Sequence, residues 1–192
     1  VDYGGIEIIS ADAVLKRSIV SSIPYWPALL LKPPFLVCKI IKRPEKNIRK
    51  WDSLSQHHPV YGYYSADAHL LYRLLLSSIR IHIPLPRPLP RDFGEASRQV
   101  HAALADGNFY NAIDAAAQAC GFRFWMENGT QAIPMGSSAS FQSSTVLHVL
   151  SPPGIKAKVQ VFRDGQTILQ SDDKSLSHRV THRFPRRGSQ TK

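Results

Sequence analysis

The sequence predicts an α/β region followed by a small antiparallel β domain of sandwich type. Three observations carry this reading. Short β-branched or aromatic runs alternate with helical patterns over residues 1–117. From Gly121 onward, aromatic and aliphatic residues alternate with polar ones at a period of two, and Asn-Gly and Asp-Gly turns separate the runs. Pro84, Pro86, Pro88 and Pro90 forbid regular structure between two periodic segments and mark a crossing loop. The expected division is 1–117 for the α/β part, 118–173 for the β part and 174–192 for a basic, irregular tail.

Gly5-Ile6-Glu7-Ile8-Ile9 reads as the first strand, left through Ser10-Ala11-Asp12. The apolar stretch from Ile23 to Ile41 is interrupted by Pro24, Pro27, Lys32, Pro33, Pro34 and Lys39. These breaks exclude a simple spanning helix, so it reads as a buried or capping segment with no transmembrane role. Arg43-Pro44-Glu45 opens a helix: Pro44 suits the first turn and Glu45 complements the dipole. Ile48, Trp51 and Leu54 share one face of it, and it stops near His57-His58-Pro59. Val60 to Tyr64 is the second strand. Leu70 to Ile83 reads as a helix running into a strand. A helix from Phe93 to about Ala105 turns Val100, Ala103 and Leu104 inward and closes at Asp106-Gly107. A further short helix is expected from Phe109 to Ala119.

In the β part, Phe122 and Phe124 alternate with polar neighbours ahead of an Asn128-Gly129 turn. Val146 to Leu150 is a strand stopped by Pro152-Pro153-Gly154. Lys156–Phe162 and Gln166–Gln170 flank Arg163-Asp164-Gly165 as a hairpin. The polar run from Ser177 to Arg187 is read as irregular, which would leave a sheet edge open.

The net charge of +10 is concentrated at one end. Six basic and no acidic residues lie in 174–192, which leaves +4 over the first 173 residues. Phe184 is the single aromatic residue in that tail. No specific nucleic-acid partner is therefore implied beyond a sequence-independent Coulomb term. Cys38 and Cys120 match neither a disulfide framework nor a zinc-ribbon spacing, and the apolar surroundings of Cys120 suggest a buried thiol. The chain has no signal-peptide pattern and no initiating Met, so its native start is expected upstream.

The residues that carry chemistry are Asp67 and His69. In an extended strand, side chains two apart point to one side. A carboxylate oxygen and an imidazole nitrogen presented together suit zinc, manganese or iron. Small Ala66 and Ala68 alternate with them and leave room for packing. Two ligands alone do not make a catalytic centre. His82 reads as a satisfied core residue, and His101 and His148 as a helix and a strand residue without a partner at ligand spacing.

The run Tyr63-Tyr64-Ser65-Ala66-Asp67-Ala68-His69 resembles the last metal-binding motif of the polymerase-and-histidinol-phosphatase (PHP) family of phosphoesterases. Gly5-Ile6-Glu7-Ile8 resembles the strand preceding that motif in the family, and Trp51-Asp52-Ser53-Leu54 resembles the helix leading into it. Ala103 to Asp114 resembles the helix and connector that follow the barrel in some members, ahead of a β-rich domain. The resemblance covers most of residues 1–173. It implies part of a distorted β/α barrel, a centre of divalent transition metals with Asp67 and His69 among the ligands, and hydrolysis of small phosphate esters by metal-activated water. Glu7 would lie near that centre as a strand carboxylate. Family members begin with a His-x-His strand and further His, Asp and Glu ligands. None of these precedes Val1, so the chain alone is expected to turn over little or no substrate. The competing reading is a non-catalytic β-sandwich binding module on a degenerate barrel. Nucleic-acid binding through the tail ranks third.

Overall fold

The computed structural model describes residues 4–27, 31–69, 71–140, 145–171 and 179–183. The chain divides into two compact units. The first comprises Val1–Ala105 and Phe109–Ala119; the second comprises Asp106–Asn108 and Cys120–Lys192. The architecture is mixed α/β with small sheets, and the described strands form no closed barrel. The mixed α/β expectation holds; in place of a partial barrel, the described strands of the first unit form two pairs, one parallel and one antiparallel, with no ladder joining them among the described residues.

In the first unit, β1 (Gly5–Ser10) leads directly into α1 (Ala11–Ser22), and Ser10 is the N-cap. Its Oγ accepts from the Ala13 amide at 3.3 Å, satisfying one of the donors a helix start leaves open. The chain continues through a short 3₁₀ turn at Ile23–Tyr25 to α2 (Pro33–Ile40), α3 (Glu45–Ser55) and β2 (Tyr61–Ser65). Strands β1 and β2 run parallel, so both point their C-terminal ends the same way. The register shifts between Glu7 and Ile9, and the extra residue, Ile8, is a bulge. That explains why consecutive Ile8 and Ile9 are both buried, which a regular strand would not allow on one face. The Ile8 carbonyl is instead met by the Asn47 side-chain amide of α3 at 2.7 Å. Gly62, beside the bulge on β2, has no room for a side chain: a Cβ there would come within 2.0 Å of the Ile8 side chain. The indole of Trp51 donates to the Val60 carbonyl at 2.6 Å and fixes α3 to the start of β2.

α4 (Tyr72–Ser78) passes without a loop into β3 (Ile79–His82), as the sequence predicts. α5 (Phe93–Ala105) matches its expected span. The helix expected from Phe109 to Ala119 is instead β4 (Tyr110–Ile113), paired antiparallel with β3, followed by a turn. Its alanines favour a helix, but the backbone of Tyr110–Ile113 completes the ladder of β3. The Asn111 side chain exchanges bonds with β2 in addition, accepting from the Tyr64 amide and donating to the Gly62 carbonyl. Ala11, Leu75 and Ile79 form a core cluster that Tyr64, Ala66 and Ala68 pack against.

The 23–41 stretch is only partly buried. Leu36, Val37 and Ile40 are inside, whereas Leu31 is 83% exposed and Ile23, Trp26 and Phe35 are also exposed. No helix among the described residues is long and apolar enough to cross a membrane. His82 pairs with Asp114 at 3.0 Å and stacks on Tyr110, in keeping with its reading as a satisfied residue.

In the second unit, β5 (Arg123–Asn128), β6 (Gln131–Pro134), β7 (Val146–Leu150) and β10 (Arg179–Arg183) form an antiparallel sheet in the order β10-β7-β5-β6. β8 (Val159–Arg163) and β9 (Gln166–Ser171) form the expected hairpin. Asp164 and Gly165, both at positive φ, supply the mirror-image turn that matches strand twist. Phe122, Phe124 and Met126 pack with Leu147 and Val149 against Val159, Val161 and Ile168, so sheet and hairpin share one apolar layer. The β5–β6 turn is centred on Gly129-Thr130, one residue later than expected, because Asn128 pairs with Gln131.

Residues 179–183, read as irregular, are a strand: their backbone pairs with β7 from Arg179↔Leu150 to Arg183↔Val146. Polar side chains do not prevent a ladder, which is made by backbone groups, and pairing covers the β7 edge. The remainder of the expected tail, 174–178 and 184–192, lies outside the described residues. Cys120 is exposed rather than buried, because it lies in a turn.

Candidate metal centre

Parallel pairing of β1 and β2 brings the residues just beyond both strands to one end of the pair. Asp12 enters from the first turn of α1, while Asp67 and His69 enter from the segment after β2. One ligand atom from each lies within 4.8 Å of the others, a spacing that three ligands of one cation adopt. The Asp12 amide donates to the Ala66 carbonyl at 3.3 Å, tying the two strand ends together through the backbone.

The mechanism expected for convergence is corrected. Strand β2 ends at Ser65, so Asp67 and His69 do not face one way by strand alternation. Asp67 instead adopts φ 40°, a left-handed conformation that Asp tolerates better than most residues. The chain then curls so that His69 Nδ1 lies 2.9 Å from the Asp67 carbonyl, 3.8 Å from Asp67 Oδ1 and 3.4 Å from Asp12 Oδ2. Ala66 and Ala68 pack into the core between these steps, which leaves Asp67 and His69 at the surface.

Asp12 differs in character from the other two. Its side chain is 2% exposed, against 51% for Asp67 and 64% for His69. Asp12 Oδ1 is buried and has no hydrogen-bond partner among the described residues, a costly state for a carboxylate oxygen unless something else meets it. Asp12 Oδ2 forms a close ion pair with Lys16, one helical turn on. That hydrogen bond holds the Asp12 carboxyl below the usual carboxylate range. Burial opposes the shift, and the charges of Lys16 and His69 add to it. Lys16 is pushed up by the same bond. A divalent cation at this centre would compete with the Lys16 ammonium for Asp12.

The Ser10 hydroxyl lies 3.4 Å from Asp67 Oδ2. Glu7 is exposed and is not a member of the group: it pairs with Tyr63 in the ladder and lines a neighbouring cavity together with Ser10. Sequence reasoning passed over Asp12, treating Ser10-Ala11-Asp12 as the way out of a strand. The usable signal was an acidic residue immediately past a strand that pairs in parallel with the one carrying Asp67, since parallel strands gather ligands at their C-terminal ends. His148, on β7 in the second unit, stacks on Trp125 and pairs with Glu127 at 3.0 Å.

Comparison of the chain with protein-family models, with curated proteins and with solved structures returns no match.

Proposed function

We propose that the chain carries part of a divalent-metal centre of a PHP-type phosphoesterase, with Asp12, Asp67 and His69 as ligands and a small phosphate ester as substrate. The observation that carries this reading is the convergence of two carboxylates and an imidazole within 4.8 Å at one end of a parallel strand pair. The position of Asp12 Oδ2 supports it, 3.4 Å from His69 Nδ1 on a carboxylate that is almost fully buried. Two oxygens and one nitrogen suit zinc, manganese or iron.

When bound, such an ion lowers the pKa of a coordinated water and withdraws charge from a phosphoryl oxygen. The chain's own residues hold and orient. Asp12, fixed in the first turn of α1, is the rigid ligand. Asp67 is positioned by its backbone turn and by the Ser10 hydroxyl. Three protein ligands leave coordination positions open for water and substrate. The sequence resemblance supplies the reaction class, and the ligands it implies upstream would complete the cluster.

Titration of the full chain with Zn²⁺ and with Mn²⁺ tests the reading, followed by hydrolysis of p-nitrophenyl phosphate. Stoichiometric binding that Asp67→Asn weakens at least about tenfold is expected. Absence of binding by both metals, or phosphatase activity that survives Asp67→Asn, would overturn it. The competing reading, a β module without chemistry, draws on the separate apolar core of the second unit. It gains if neither metal binds.

A further inference from the structure

A cavity of about 690 Å³ lies against β1 and borders the candidate metal centre through Ser10, which lines it while its hydroxyl reaches Asp67. The volume falls in the range of small-molecule sites. One face of α1 forms a wall, because Ser10, Ala13, Val14, Arg17, Ser18 and Ser21 recur at helical spacing. The end of α2 and the start of α3 supply the opposite side, and the bulged end of β1 the floor.

The charges of this lining are unequal. Arg17, Lys39 and Lys42 face Glu7 alone. Arg17 and Lys42 make no ion pair among the described residues, and Lys39 stands 5.0 Å from the centre of the Phe35 ring. Three cations with one counter-charge around a concave space repel one another, and an anion relieves that repulsion. Ile8 on the floor, Val14 on α1 and Ile40 at the end of α2 add an apolar lining to this space, most of it from Val14, since Ile8 and Ile40 are largely buried.

We infer that this cavity binds a small organic anion, with its oxyanion group on Arg17, Lys39 and Lys42 and its apolar body against Ile8, Val14 and Ile40. The inference does not rest on the metal centre, because none of the three metal-ligating residues lines the cavity. Arginine and lysine bind phosphonate and carboxylate through the same charge-assisted hydrogen bonds, so the shared requirement is the oxyanion. Glu7 has the opposite sign and weakens binding.

The test is calorimetric titration of the full chain, kept in a metal chelator, with phenylphosphonate, benzoate and inorganic phosphate. Phenylphosphonate has a P–C bond and cannot be hydrolysed as an ester. It should bind about tenfold more tightly than inorganic phosphate, which lacks the apolar body. Arg17→Gln and Lys42→Gln should each weaken it about fivefold, and the double variant more. Glu7→Gln should tighten it a few-fold, a gain that a merely unfolded variant cannot give. Asp67→Asn, which removes a negative charge next to Ser10, should not weaken it. Benzoate binding close to phenylphosphonate would place the selectivity on the oxyanion, and much weaker binding would place it on the dianion; both support the site. No binding by any probe overturns the inference. So does affinity indifferent to Arg17→Gln and Lys42→Gln, or affinity lost only in Asp67→Asn. These outcomes are read without metal, so they stand apart from success or failure of the metal titration.

Discussion

The Ser10 hydroxyl lies 3.4 Å from Asp67 Oδ2 and accepts from the Ala13 amide, so one side chain both caps α1 and touches the carboxylate that follows β2. Fifty-seven positions separate Ser10 from Asp67. Their contact follows from the parallel pairing Ser10↔Ser65. Substituting Ser10 by Ala should therefore act on stability and on metal affinity together. The expected cost is about 1 kcal/mol from loss of the cap, read by urea denaturation, with a few-fold weaker Mn²⁺ binding. A stability loss with unchanged Mn²⁺ affinity would reduce Ser10 to a cap alone.

The proposed ligand role of Asp67 separates from its backbone role by choice of replacement. Asn tolerates the left-handed conformation that Asp67 adopts, whereas Val resists it. Asp67→Asn should keep the melting temperature near that of the parent and lose metal affinity. Asp67→Val should lose both. Equal melting temperatures for the two variants would show that the turn places no demand on residue 67.

A metal bound at the proposed centre would compete with Lys16 for Asp12. Lys16→Gln is expected to tighten Mn²⁺ binding a few-fold at neutral pH, measured by titration, because the ammonium no longer occupies Asp12 Oδ2. Weaker binding instead would mean that Lys16 assists the site.

The same pair sets a pH dependence. The folded pKa of Asp12 is held below its ordinary 3.8, so its contribution to stability is complete above that value and is lost as pH falls through the lowered one. Lys16 works the other way. Its contribution is complete below 10.5 and is lost as pH rises through the raised value. Thermal melts of Asp12→Asn should thus show a shallower decline at acid pH than the parent, and a parallel decline would remove Asp12 from the acid limb.

Away from the site, Asn47→Ala withdraws the donor that meets the Ile8 carbonyl at the bulge. The expected loss is about 1–2 kcal/mol by urea denaturation. A neutral result would indicate that the bulge does not depend on α3.

Much of the chain was legible by local rules. Helix α5, the α4-to-β3 transition and the β8–β9 hairpin follow from apolar period, capping and the Asp164-Gly165 turn, which act within a few residues. Asp67 and His69 were legible as ligand types by motif. The way they converge was not, because it depends on a left-handed residue beyond the end of β2. Helix propensity misdirected at one strand and sequence polarity at another. Tyr110–Ile113 and Arg179–Arg183 are held by partners that local propensity cannot see.

By itself, then, the sequence determined the order of most elements, the turns between the β strands, and the acid and imidazole at 67 and 69. Only the tertiary structure decided that Asp12 joins them and that a bulge at Ile8 turns two isoleucines inward. It alone set a cationic cavity beside Ser10. The reason is physical. Capping, period and turn chemistry are fixed by neighbours in the chain, whereas a site is fixed by which strand lies beside which. That choice is made by hydrogen bonds and buried surface between residues far apart in sequence.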